Sequence, residues 1–427
     1  MSFKRHIQGI MALSLFASAA IFSPAIQNKA EAAAPAIKIT LDGKTLSMDT
    51  APQIVNNRLL VPYGSVVSAI GGTVDWNATT KKVTAKKDGV TVTYTVGSKA
   101  ATVGSEKVTL DAAPVTVNNR TLVPLRFLAE SFGMWVKWNN TSKQLSISTT
   151  LTVQTKTGPL TLKKKPTRIV TLSSSDTEIV SALGGNVVGR STALGKVYPA
   201  SAASIPEVGS AHGINFEKLA TLKPDLVIGS PALQQSKATI EQLGATMLFN
   251  SHNLYSEIQN SIRLYGQVLG KEEEADKLLA SMDAKIRIAE QTKLQTKPKV
   301  IILYGAPGSF VVALPSSYPG NFLELAGGVN AGAAFPKNDQ MPQYADLSME
   351  RIIAANPDAI YLITHGDPAE IKTSFKKELE SNAAWKNLTA VKNDNFEVLD
   401  SELFAANPGL RAPEAVLSLN QLLRQVK

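Results

Sequence analysis

The strongest constraint on this chain is that part of it repeats itself. Asp49-Thr-Ala-Pro52, Val55-Asn-Asn-Arg58 and Leu60-Val-Pro62 recur 62 positions later as Asp111-Ala-Ala-Pro114, Val117-Asn-Asn-Arg120 and Leu122-Val-Pro124. Trp76-Asn77 recurs at the same offset as Trp138-Asn139. Such self-similarity means a duplicated unit. In each copy Asn-Asn predicts a hairpin turn, because Asn tolerates positive φ. The stretch after each Leu-Val-Pro predicts a short helix, over 63–70 and 125–132. Gly71-Gly72 and Gly133 stop it. Residues 83–96 alternate apolar and polar, which predicts a half-buried strand. The result is a small, mainly-β module.

After Leu151 the pattern changes to strand–helix alternation, the sign of an α/β domain. Arg168-Ile-Val-Thr-Leu172 reads as a buried strand, and Ser173-Ser-Ser-Asp-Thr-Glu178 opens a helix with capping residues. Lys223-Pro-Asp-Leu-Val-Ile-Gly229 marks a helix-to-strand transition, and Asn356-Pro-Asp-Ala-Ile-Tyr-Leu362 repeats it. A second α/β unit starts at Lys299-Val-Ile-Ile-Leu-Tyr304. Between the units, 271–293 has an unbroken helical apolar period (Ala275, Leu278, Leu279, Met282, Ile286). The expectation is two Rossmann-like α/β lobes joined by one long helix. The boundaries read as 33–149 for the duplicated module, 150–268 for the N-lobe, 269–295 for the inter-lobe helix and 296–427 for the C-lobe.

Residues 1–32 read as a signal peptide. Lys4, Arg5 and His6 precede an apolar run over 10–22, and Ala30-Glu31-Ala32 supplies a small-x-small cleavage pattern. That run is too short to span a bilayer. The sequence holds no cysteine. That excludes a disulfide scaffold, a cysteine nucleophile and a lipidated N-terminal cysteine. The expected protein is secreted, extracytoplasmic and held at the envelope without a lipid anchor. Of the formal charge of +9, residues 33–150 carry +6, from 13 Lys/Arg against 7 Asp/Glu. A basic module outside the cell suits an anionic wall polymer. A solvated strand face explains the same charge. Nucleic acid is disfavoured, because the lysine pairs lack interleaved aromatics.

The repeat resembles the copper amine oxidase N-terminal-like domain, a stalk module of exported Gram-positive proteins, over about 36–149. Oxidase chemistry is not implied, since 33–150 contains no histidine. Residues from about 152 resemble the class III substrate-binding proteins of ABC importers, which serve siderophores, cobalamin, haem and some metal ions. The C-terminal half is most similar to the IsdE-like haem receptors. The stretches that carry this are Gly305-Ala-Pro-Gly-Ser-Phe310, Ser317-Tyr-Pro-Gly320, Leu325-Ala-Gly-Gly328, Thr364-His-Gly-Asp-Pro-Ala-Glu370 and Asp400-Ser-Glu-Leu-Phe404.

That resemblance implies a transported haem held between the lobes. In its pattern a histidine in the segment of His365 is one axial ligand. A methionine shortly after a Pro-Glu-Val-Gly turn is the other. Here the turn is Pro206-Glu-Val-Gly209 and the methionine position falls on His212. Imidazole is a good iron ligand, so the departure implies bis-histidine, six-coordinate iron. Each histidine alone reads more simply as a surface or satisfied core group, and the joint match favours ligation. Tyr318 matches a tyrosine of the pattern that would stack on or bond to the porphyrin. His252 follows a strand end and is a polar wall residue of the pocket. Tyr198, Met341 and Tyr344 lie in loops facing the cleft, and Arg190, Arg411 and Lys196 are candidates for the propionates. The resemblance also implies an ABC permease and its ATPase as partners. One exposed glutamate per lobe docks on the permease, here Glu217 and Glu350. Each also reads as an acidic residue favoured near a helix N-terminus.

Rival readings remain. A ferric-siderophore or corrinoid receptor has the same fold. A wall-interaction protein without a transport role would use only 33–149. A zinc or manganese receptor would carry a histidine where Ser173-Ser-Ser-Asp176 stands. Hydrolase chemistry lacks its Gly-x-Ser-x-Gly elbow, and no phosphate-binding loop is present.

Overall fold

Both copies of the repeat build the same pieces. The computed structural model describes residues 37–427 except 194, 211–212, 293, 295, 306–308, 365–367, 382 and 405. The expected signal segment lies outside the described residues. Among the described residues no helix is long and apolar enough to cross a membrane.

The first copy runs β1 (Lys38–Leu41), β2 (Lys44–Thr45), β3 (Gln53–Val55), β4 (Arg58–Pro62), α1 (Tyr63–Ala69), β5 (Thr73–Asn77) and β6 (Lys82–Lys87). β7 (Val90–Thr95) follows, and β8 (Ala100–Val103) and β9 (Glu106–Thr109), 62 positions after β1 and β2, open the second copy. That copy contains β10 (Val115–Val117), β11 (Arg120–Pro124), α2 (Leu125–Ser131), β12 (Trp135–Asn139) and β13 (Gln144–Ser148). The Asn-Asn turns are two-residue hairpin loops. Asn56 and Asn57 have φ of 51° and 59°, and Asn118 and Asn119 have 49° and 58°. The copies pair through β4 and β11, centred on Val61↔Val123. Two ion pairs repeat the symmetry, Arg58 to Asp111 at 2.7 Å and Arg120 to Asp49 at 2.5 Å. β1 joins β13 in parallel, so the first described strand closes the second copy's sheet. The single strand expected over 83–96 is instead the hairpin β6–β7. Asp88 and Gly89, with φ of 46° and 78°, turn the chain between them. Asp-Gly is itself a hairpin signal.

The module is seated on the N-lobe. A hairpin, β14 (Leu151–Thr155) and β15 (Gly158–Leu162), leads into that lobe. The lobe contains β16 (Ile169–Thr171), α3 (Ser174–Ala182), β17 (Val187–Arg190), β18 (Gly209–Ser210), β19 (Gly213–Ile214) and α4 (Phe216–Leu222). It continues with β20 (Leu226–Gly229), α5 (Lys237–Gln242), β21 (Thr246–Phe249) and α6 (Tyr255–Leu269). Its sheet has the order β17-β16-β20-β21, all parallel. Trp135 is 5% exposed and shares the N-lobe's apolar cluster with Val153, Leu162, Tyr265 and Leu269. Its indole N–H donates to the Val268 carbonyl at 2.9 Å. Beside it Lys165 donates from its backbone to Gly133 and pairs with Glu130 at 3.4 Å. Burial lowers the Lys165 pKa, and Glu130 opposes that shift.

α7 (Glu272–Gln291) packs on α6 at one side. Its buried Ala275, Leu279, Met282, Ile286 and Ala289 recur every three or four residues, the spacing of one helix face. The C-lobe comes next, with β22 (Lys299–Tyr304), β23 (Val311–Ala313), α8 (Tyr318–Leu325), β24 (Val329–Asn330), β25 (Tyr344–Asp346) and α9 (Met349–Ala355). It ends with β26 (Ala359–Ile363), α10 (Pro368–Ser381), α11 (Thr389–Lys392), β27 (Phe396–Val398), α12 (Ser401–Phe404) and α13 (Ala412–Leu423). The sheet order is β25-β23-β22-β26-β27, with β22, β26 and β27 parallel and β23 antiparallel to β22. α8 and α13 of this lobe also pack on α7, which therefore ties the two lobes together.

The lobes repeat one device. Asn215 and Ser348 cap α4 and α9, accepting from the N–H groups of Lys218 and Arg351. Lys223 and Asn356 end those helices at φ of 44° and 40°. After each Pro, an aspartate accepts from the backbone N–H of the neighbouring strand's start, Asp225 from Arg168 and Asp358 from Lys299.

Candidate functional site

Parallel strands deliver their loops to one end of a sheet, and ligands of such folds bind there. Loops and helix starts at that end make contacts between the lobes. The Asn407 side chain donates to the His252 carbonyl at 2.8 Å, and the Asn321 side chain accepts from the Tyr255 N–H at 2.9 Å. Gly409 packs on α3, where an added Cβ would lie 3.0 Å from the Ser175 Cβ. Its φ of 58° also favours glycine.

A buried polar network supports the N-lobe side. Ser173 caps α3 and bonds Asp176 at 2.5 Å. The Tyr265 hydroxyl donates to the other Asp176 oxygen at 2.5 Å, and Asn250 donates to Tyr265 and Ser261. His252 is 7% exposed, with Nε2 2.7 Å from the Ser175 hydroxyl and Nδ1 3.3 Å from that of Ser261. Both ring nitrogens are therefore engaged. Burial, then the adjacent Asp176, drives the Tyr265 pKa far up.

The expected residues sort into three groups. His212 and His365 lie outside the described residues. Their flanks are described. β18 and β19 stand on either side of positions 211–212, and β18 is tied to the end of β17 by the Thr192 N–H to Gly209 carbonyl bond. Thr364, 8% exposed, ends β26, and α10 begins at Pro368. In the sequence the two positions follow β18 and β26, strands of opposite lobes.

A second group sits behind the cleft surface. Tyr318 was expected to meet the porphyrin. It is 8% exposed, packs on Phe322, and donates its hydroxyl to the Phe404 carbonyl at 2.7 Å. Burial pushes its pKa well up. His252 is engaged in the same way, so the hydroxyl proton of Tyr318 and both ring nitrogens of His252 are held within the protein. Arg190 is also committed. It donates to the carbonyls of Ala202 and Ser191 and pairs with Glu207 at 2.8 Å. These three are framework, a distinction that only packing reveals.

The third group is exposed or half-buried. Tyr198 lines a shallow hollow with Ser174, Thr177, Ser191 and Val197. It reaches across the lobes, donating its hydroxyl to the Glu402 carboxylate. The Arg411 guanidinium lies over its ring, 3.7 Å from the centroid. Lys196 stands 3.7 Å from Glu402. Sequence reading missed Glu402, because its partners lie some two hundred positions away. Met341 is 43% exposed, and the Tyr344 ring stacks at a tilt on Tyr304. Glu217 and Glu350 are both exposed, each two residues past its helix cap. Among the described residues no cluster of His, Asp and Glu could hold a metal ion.

Comparison with known proteins divides the chain at the same place. The periplasmic binding protein family matches residues 169–403, and the copper amine oxidase N-terminal domain matches 40–147. The high-affinity heme uptake system protein IsdE of Staphylococcus aureus strain Newman is 30% identical over 263 residues, covering 61% of this chain and 88% of the relative. A solved ABC transporter substrate-binding protein from Listeria monocytogenes EGD-e is 32% identical, with a TM-score of 0.54 over 61% of this chain and 100% of the other. The solved S. aureus IsdE complexed with heme is 29% identical, with a TM-score of 0.52 over 60% of this chain and 98% of the other.

Proposed function

Since this chain belongs to the periplasmic binding protein family, we propose that it is an extracytoplasmic receptor of an ABC importer whose ligand is haem. His212 of the N-lobe and His365 of the C-lobe are its axial ligands. The observation that carries the reading is the 30% identity to a haem-uptake protein over 88% of that relative. In the sequence the two histidines follow β18 and β26, strands of opposite lobes, which supports their choice as the pair.

Two imidazoles make iron six-coordinate and low-spin. Relative to Met/His ligation they favour the ferric state and a lower potential. Both must be neutral to ligate, so protonation of either opposes binding. The receptor carries its ligand to a separate permease and ATPase, and Glu217 and Glu350 face that permease. The basic module 33–149 keeps the protein near the envelope by meeting anionic wall polymer. Release into the medium of a protein with an intact module, without retention on isolated walls, would count against that role.

The test of the ligand is a haemin titration of residues 33–427 followed by absorbance, with His212→Ala and His365→Ala alongside. A saturable one-to-one Soret band with low-spin features is expected, turned high-spin or lost in each variant. A wild-type protein without a saturable spectrum would move the ligand to a ferric siderophore or corrinoid. A spectrum unchanged in both variants would remove the histidines from the site.

A further inference from the structure

The cross-lobe cluster around Tyr198 is more than a contact between lobes. It contains two cations, Lys196 and Arg411, the Tyr198 phenol and two carboxylates, Glu402 and Glu178. Glu402 accepts from the Tyr198 hydroxyl and lies 3.7 Å from the Lys196 ammonium. Arg411 covers the Tyr198 ring and donates to the Glu402 backbone carbonyl at 2.8 Å. The Arg411 Nε is buried without a hydrogen-bond partner, and its nearest anion, Glu178, lies 3.5 Å away. The side chains of Lys196 and Glu402 are 61% and 48% exposed, so neither is fixed by packing. Among the described residues Glu402 alone supplies a carboxylate to the Tyr198 hydroxyl.

The geometry points to an anion site formed by Lys196, Tyr198 and Arg411, which Glu402 fills in the absence of ligand and which a ligand carboxylate takes over. The inference rests on the reading of the cleft as a ligand site and names the chemistry it accepts there. The Tyr198 hydroxyl, held below Arg411, bonds whichever carboxylate is present. When a ligand carboxylate arrives, Glu402 swings to solvent at little cost, because its side chain is already half exposed. A receptor built this way prefers acidic ligands and loses a little affinity by carrying its own competitor. The carboxylate could belong to a haem propionate or to a carboxylate siderophore, and both present the same group.

The test uses two exposed substitutions, Glu402→Gln and Lys196→Ala, in residues 33–427. Haemin and haemin dimethyl ester are titrated by Soret absorbance, and ferric citrate by intrinsic fluorescence. Glu402→Gln is expected to tighten haemin about two- to fivefold, the scale of one exposed ion pair, and to leave the diester unchanged. Lys196→Ala is expected to loosen haemin by a similar factor, again without effect on the diester. Loss of the Soret response in the wild type, with ferric citrate bound and tightened by Glu402→Gln, would keep the anion site and discard haem. A saturable haemin spectrum that Glu402→Gln fails to tighten, or tightens equally for the diester, would discard the anion site and keep haem.

Discussion

Glu178 shows how one side chain is held between opposing terms. It lies on α3 with its side chain 11% exposed, and burial raises its carboxyl pKa while Arg411 pulls it back. The folded pKa therefore stands above the unfolded value of about 4.3. Its contribution to stability is complete below that value and is lost as pH rises through the folded pKa. Glu178→Gln removes the buried charge and keeps the shape. The variant is expected to melt higher than the wild type at pH 7, with the difference closing towards pH 4. Thermal melts across that range check it. A variant that melts lower at pH 7 would mean that the pair with Arg411 outweighs the burial. His252 makes the complementary point. A sequence shows that a histidine is present, but the bonds to Ser175 and Ser261 decide that it is framework.

At the scale of elements, the sequence was most informative where local chemistry decides. The Asn-Asn turns, the helices after Leu-Val-Pro, the α3 cap and the long α7 all arise from residues close together in the chain. The β6–β7 hairpin was missed because alternation on both strands outweighed a visible Asp-Gly turn. The seat of the module was missed for a different reason: its partners are distant. The repeat nevertheless carried a signal. At the positions that meet the N-lobe and the start of α7, Glu130, Trp135 and Lys137, the first copy has Ser68, Thr73 and Asp75. Only the second copy is equipped to dock, so the stalk is part of a shared core. Trp135→Ala is expected to cost about 3–5 kcal/mol, as large buried aromatics do. Trp135→Phe is expected to cost about 1–3 kcal/mol, by leaving the Val268 carbonyl without its donor. Denaturant unfolding measures both. Loss confined to the module, with the lobes unchanged, would show that the seat contributes nothing to them.

In the whole molecule, the seat and the cleft lie at opposite ends of the N-lobe. α6 starts beside the inter-lobe contact of Tyr255 with Asn321 and ends next to Trp135. Its 15 residues span about 22 Å at 1.5 Å each. The module therefore leaves the cleft end open, and with it Glu217 and Glu350. The Asn215/Ser348 caps and the Asp225/Asp358 bonds place those two carboxylates equivalently, one per lobe. A partner that meets both lobes at once would meet matched negative charges. Leu347 and Ile353, 38% and 45% exposed, flank Glu350 one turn away on either side and add apolar area there. A single exposed ion pair is worth at most about 1 kcal/mol, so either glutamate alone is expected to reduce uptake only partly. Reversal of both, Glu217→Lys with Glu350→Lys, replaces attraction by like-charge repulsion, which costs several kcal/mol across an interface. Uptake of haem by cells is then expected to stop, while haemin affinity of the purified double variant stays within about twofold of wild type, a change under about 0.5 kcal/mol. Uptake and titration measured on the same variants separate docking from binding. A double variant that loses haemin affinity would place these glutamates in the ligand site, and one that still transports at full rate would remove them from the docking face.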